Sequence, residues 1–102
     1  MNYFLCYDFS SDKTRRRISK YIEAAGLKRV QKSIFFAKNY KPREMERIAL
    51  KIASIAKEQG EETDADSILL IPIERDQLEG VTIYGENKAF SQLITYQPTL
   101  FF

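Results

Sequence analysis

One aspartate and a run of cations are the residues of this chain whose types and spacing could do chemistry. Asp8 closes an aromatic and apolar run, Asn2-Tyr-Phe-Leu-Cys-Tyr-Asp8, beside a polar stretch where a carboxylate is easily aimed at a ligand. One carboxylate is a poor divalent-metal site. On a two-fold axis it becomes two, and hard oxygen ligands with open water positions suit Mg²⁺ or Mn²⁺ next to phosphates. Capping of the local turn is the alternative reading of the same side chain. The sequence has no histidine, which removes an imidazole base and any Ser-His or Cys-His nucleophile. Chemistry here must use carboxylates, hydroxyls, Lys, Tyr or a metal-bound water.

Lys13, Arg15, Arg16 and Arg17 fall in the first turns of an expected helix. Cations there oppose the helix macrodipole, at about 0.3 to 1 kcal/mol each when exposed. The same helix end offers free amides to anions, so arginines and amides together could hold a phosphate; a solvated basic face is the alternative. Arg29, Lys32, Lys38, Lys41 and Arg43 would extend the patch. Tyr7 and Phe35 could stack on bases or pack in a core, and Tyr40 sits in a turn. No P-loop or dinucleotide fingerprint is present.

These residues need elements to hold them. Asn2 to Asp8 is apolar on both alternating faces, as in a strand covered on both sides. Ser10, Ser11 and Asp12 offer N-caps, and Ile18, Tyr21, Ile22 and Ala25 follow at helical spacing, with Gly26 as the stop. Lys28 to Lys38 reads as two short strands joined near Ser33. Pro42 favours a helix start, and Met45, Ile48, Ala49, Ile52 and Ile55 predict a second helix to about Lys57. Gln59 to Asp66 reads as a loop. Ser67 to Pro72 is a strand again apolar on both faces, Val81 to Gly85 one more, and Phe90 to Tyr96 a possible additional strand.

The order βαββαβ with a C-terminal extension predicts an α+β, ferredoxin-like fold. Residues 1–85 form the expected domain and 86–102 the extension. Two helices cover one face of such a sheet, and the other face needs a cover too. A second copy packed sheet to sheet as a two-fold homodimer is the economical answer; burial under the C-terminal segment is the alternative.

Composition is consistent with one soluble domain, with 44% hydrophobic and 29% charged residues. No apolar run is long enough to span a bilayer, and no signal-peptide pattern opens the chain, so the cytoplasm is the expected compartment. The lone Cys6 cannot form an internal disulfide and reads as a small core residue. Net charge is +2 but segregated: residues 1–43 carry eleven Lys and Arg against three acids, a balance of +8, and residues 44–102 carry five against eleven, a balance of −6. Such asymmetry points to a polyanion-binding face.

The combination Tyr3-Phe-Leu-Cys-Tyr7-Asp8, Ser10, Lys13, Arg15 to Arg17, Gly26, Val30-Gln-Lys-Ser33-Ile-Phe35, Asp66-Ser67-Ile-Leu-Leu-Ile-Pro72 and Tyr84-Gly85 resembles the CRISPR-associated protein 2 family. The resemblance implies a ferredoxin-like homodimer that bridges dimers of the CRISPR-associated protein 1 integrase during spacer acquisition. It also implies, in some members, a metal-dependent phosphodiesterase activity on RNA or DNA with Asp8 as the Mg²⁺ or Mn²⁺ ligand. Tyr7, Arg15, Arg17, Ser33 and Phe35 fall on family positions linked to the nucleic acid site, and Ser10, Lys13, Arg16 and Arg29 complete the candidate set. The segment from Glu86 to Phe102 has no match in the pattern. A toxin-type ribonuclease resembling virulence-associated protein D, which shares the fold, is the alternative function.

Overall fold

The computed structural model describes residues 1–60, 63 and 66–93. Strand β1 (Asn2–Asp8) leads into helix α1 (Asp12–Ala24), strands β2 (Lys28–Gln31) and β3 (Ile34–Ala37), helix α2 (Pro42–Gln59) and strand β4 (Ser67–Ile73), so the expected βαββαβ order is present. Two short helices follow, α3 (Arg75–Glu79) and α4 (Lys88–Leu93).

Local chemistry sets these boundaries. Ser11 has extended backbone and its hydroxyl accepts from the Thr14 N–H at 3.2 Å, which starts α1. The helix stops at Gly26, whose φ of +97° is in the left-handed region. A side chain is also barred there, since a Cβ would lie 2.9 Å from the Tyr40 hydroxyl. That hydroxyl donates to the Ala25 carbonyl at 2.7 Å, giving Tyr40 a structural use at the helix end. Pro42 opens α2, and Glu44 accepts from the Lys41 N–H at 2.8 Å.

The strands form one antiparallel sheet in the order β2-β3-β1-β4. Strand β1 pairs with β4 along its whole length, from Asn2 opposite Ile73 to Asp8 opposite Ser67. Strand alternation then divides the side chains. Tyr3, Leu5, Tyr7, Phe35 and Ala37 face α1 and α2 and join Ile18, Ile22, Met45 and Ile52 in the main core.

The other face holds Phe4, Ile34 and Phe36, and here two expectations change. Val81 to Gly85 is not a strand; the segment has no regular secondary structure and no ladder partner among the described residues. Val81 and Ile83 are half-buried while Thr82 and Tyr84 are exposed. Period-two alternation records one buried side of a chain, and the same pattern arises whether or not hydrogen bonds join it to a sheet. Lys88 to Leu93 is helical and not the start of a strand. Asn87 is the cause: its side-chain oxygen accepts from the Phe90 N–H at 2.9 Å, an N-cap contact, and its amide donates to the Val30 carbonyl at 2.8 Å. The rest of the expected strand, residues 94–96, lies outside the described residues.

The C-terminal segment thus supplies part of the missing cover. Leu78 and Phe90 pack with Val30 and Phe36 over the β2 and β3 half of this face. The β4 half stays open, with Leu69 59% and Ile71 44% exposed. No helix among the described residues is long and apolar enough to cross a membrane.

Candidate nucleic-acid interface

The start of α1 and the turn between β2 and β3 meet in a groove of about 260 Å³, lined by Tyr7, Arg15, Arg16, Arg29, Lys32 and Ser33, with Asp12 and Ser19. Sequence reasoning named most of this lining, and strand pairing explains why residues so far apart converge. The Tyr7 N–H donates to the Ser33 carbonyl at 3.1 Å. The Tyr7 hydroxyl reaches the Lys32 carbonyl at 3.4 Å, and the Arg29 guanidinium donates to the same oxygen. Tyr7 and Arg29 therefore fix the turn that carries Lys32 and Ser33.

Not every cation is equally available. Arg15 donates to the carbonyls of Phe9 at 2.6 Å and Ser10 at 3.1 Å and pairs with Asp12. Arg17 reaches across to α2, bonding Glu58 at 2.5 Å and Gln59 at 3.1 Å. Arg29 is 3.4 Å from Glu23, and its guanidinium lies 4.8 Å from the centre of the Phe35 ring, a cation–π arrangement. The charged ends of Lys13, Arg16 and Lys32 have no partner among the described residues, so they carry the uncommitted charge of this region. Lys32 was legible only as part of a diffuse patch, because its facing depends on the turn that Tyr7 and Arg29 build.

Phe35 has no exposed surface and offers no face to a base. It supports Arg29 from below and stacks on the nearly buried Tyr7, ring centres 6.2 Å apart.

Asp8 is not in this groove. Tyr7 turns towards the helices, so Asp8, the next residue along β1, leaves the sheet on the opposite face and is exposed. Asp8 and the basic groove share one end of the sheet from its two sides. Among the described residues no three of His, Cys, Asp and Glu gather as a metal site. Cys6 is on the same face as Asp8, and burial pushes its thiol pKa up, which disfavours a reactive thiolate.

The loop between Asp8 and α1 has a further anchor. Asp66 accepts from the Ser10 N–H at 3.0 Å and hydroxyl at 3.2 Å, and from the Thr63 N–H at 3.0 Å and hydroxyl at 3.1 Å. The Thr63 N–H above all, with the Ser10 donors behind it, holds the Asp66 carboxyl below the usual range despite some desolvation. The sequence marked Asp66 only as the first residue of the β4 pattern, and not its tie to Ser10, which lies 56 residues away.

Sheet order, helix placement and groove define a small α+β domain with a cationic groove at the start of its first helix. A family model described as CRISPR associated protein Cas2 matches residues 1–81, and the chain belongs to that family. Its fold is similar to that in the crystal structure of Streptococcus pyogenes Cas2 at pH 6.5, with a TM-score of 0.64 and 23% identity over 83% of this chain and 100% of that one. Compared with curated protein sequences, the chain gives no significant match. Family membership supports a role in CRISPR adaptation.

Proposed function

We propose that this chain is a spacer-acquisition subunit that works as a ferredoxin-like homodimer, holds nucleic acid through its phosphates, and bridges dimers of the CRISPR-associated protein 1 integrase. The observation that carries the reading is the groove at the start of α1, where Arg16 and Lys32 keep uncommitted charge beside a turn fixed by Tyr7 and Arg29, with Lys13 uncommitted in the same first turn of the helix. Side chains of this kind recognise the backbone charge of DNA or RNA and carry no base code, so binding is expected to be sequence-tolerant and steeply salt-dependent.

Among the described residues a single chain does not fit Mg²⁺ or Mn²⁺, because the exposed Asp8 belongs to no cluster of three His, Cys, Asp or Glu side chains. A second copy across the open face would bring a second Asp8, and a divalent cation held there would neutralise phosphate charge and activate water. Scaffolding is the cellular role under this reading, and hydrolysis a condition-dependent activity.

The test puts two variants through one acquisition assay and one nuclease assay with Mg²⁺, Mn²⁺ or EDTA. Asp8→Asn should remove hydrolysis and leave acquisition intact, while Lys13→Ala with Arg16→Ala should damage acquisition. Acquisition abolished by Asp8→Asn in a folded protein contradicts the scaffold role, and full hydrolysis in that variant contradicts the metal role.

A further inference from the structure

The contacts around Ser10 assign a role to a residue outside the groove. Ser10 is held from two sides: its N–H and hydroxyl donate to the Asp66 carboxylate, and its carbonyl accepts from Arg15. The preceding carbonyl, that of Phe9, accepts from the same guanidinium, and the Phe9 ring is buried in the main core. The next residue, Ser11, caps α1. Every residue from Phe9 to Ser11 is thereby tied down, by the core, by the helix and by the start of β4. The β4 tie holds Ser10 itself to a side chain distant in sequence, and it sits at the sheet end, since Ser67, the residue after Asp66, lies opposite Asp8.

We infer that Asp66 is a positioning residue for nucleic acid binding, fixing Ser10 so that the first turn of α1, which carries Lys13 and Arg16, meets phosphates already ordered. This rests on the reading of the groove as a phosphate site. Asp66 does not touch the nucleic acid. Its negative charge opposes phosphate binding, so the benefit it brings is geometric: the loop and helix start need not be ordered at the moment of binding.

Charge and geometry separate cleanly with two substitutions. Asp66→Ala and Asp66→Asn remove the same charge, which alone strengthens binding to a polyanion by the same factor. Asp66→Asn keeps a carbonyl oxygen for the Ser10 N–H and hydroxyl, whereas Asp66→Ala keeps none. Binding of a short fluorescein-labelled DNA duplex, followed by anisotropy, should be about threefold to tenfold weaker for Asp66→Ala than for Asp66→Asn, the usual worth of a net hydrogen bond. Hydrogen exchange at the Ser10 amide should accelerate in the alanine variant and stay near wild type in the asparagine variant. Melting curves recorded alongside should be close to wild type for both.

Equal affinities of the two variants would overturn the inference, as would a Ser10 amide equally protected in both. So would an affinity loss that merely tracks a fall in melting temperature. Arg16→Ala is the control for the underlying reading: if it leaves duplex affinity and its salt dependence unchanged, the groove is not the phosphate site and the inference falls with it. If Arg16→Ala weakens binding while the two Asp66 variants agree, the groove stands and the inference alone fails.

Discussion

The two faces of this sheet are closed by different means. On one, α1 and α2 seal Leu5, Phe35, Ile18, Ile22, Met45 and Ile52 completely from solvent. On the other, the irregular segment at Val81 to Tyr84 and helices α3 and α4 cover the β2 and β3 half, while β4 leaves Leu69 and Ile71 in water. The first face draws on long amphipathic helices that the chain must fold anyway. The second relies on short pieces with one or two anchors each, such as Leu78 and Phe90. The comparison teaches that the sealed side of the sheet carries the basic groove, while the half-open side carries Asp8 and is the one where a second copy is proposed.

The largest expected effect breaks the sealed face. Phe35→Ala removes a fully buried ring that also carries Arg29 and should cost about 3 to 5 kcal/mol in denaturant unfolding. Phe90→Ala, on the other face, should cost less than half as much, because the C-terminal segment can open locally without global unfolding. Hydrogen exchange should then show faster opening across residues 78–93 alone. Equal losses for both substitutions would mean that the two faces form one cooperative unit.

Smaller effects sharpen the description of α1. Ser11→Ala removes the cap and should cost about 1 kcal/mol. Thr14→Val should stabilise by up to about 1 kcal/mol, because the buried Thr14 hydroxyl has no hydrogen-bond partner among the described residues and an unpaired polar group is costly to bury. Both are read from thermal or urea unfolding.

The pH dependence is smaller again. Because the folded pKa of Asp66 is depressed, its contribution is present above the ordinary carboxylate range and is lost as pH falls through the folded value. Acid unfolding of Asp66→Ala should therefore be shallower than that of wild type on the low-pH side. An unchanged profile would show that the Ser10 and Thr63 contacts do not bias folding.

The sealed face was legible in the sequence, and the open face only in part. Spacing at Ile18, Tyr21, Ile22 and at Met45, Ile48, Ile52 marks the helices because 3.6-residue periodicity depends only on which side is buried. The paired apolar faces of Phe4 to Tyr7 and Ile68 to Ile71 signalled a second face in need of cover, which the C-terminal segment supplies over Phe4 and Phe36 and not over Leu69 and Ile71. Where periodicity misled was Val81 to Gly85, an irregular segment whose Val81 and Ile83 pack on the sheet without a ladder partner among the described residues. At Phe90 a helix follows from Asn87, whose capping contact is a local choice that apolar content does not reveal. Around the groove, residue types named the cations, but only the contacts distinguish Arg15, spent on Ser10, and Arg17, turned away to Glu58 on α2, from Arg16 and Lys32. The place of Asp8 on the opposite face follows from strand parity alone and could have been read from its position next to Tyr7.

The central claim is that the open β4 half of the second face is where another copy of the chain packs, and sedimentation equilibrium tests it most directly. The wild-type protein should sediment at twice the 11.9 kDa of the chain, and a variant carrying Leu69→Asp and Ile71→Asp should return to the mass of one chain while keeping its circular dichroism. Wild-type protein at the mass of a single chain across the micromolar range, or a double variant that still dimerises, would contradict it.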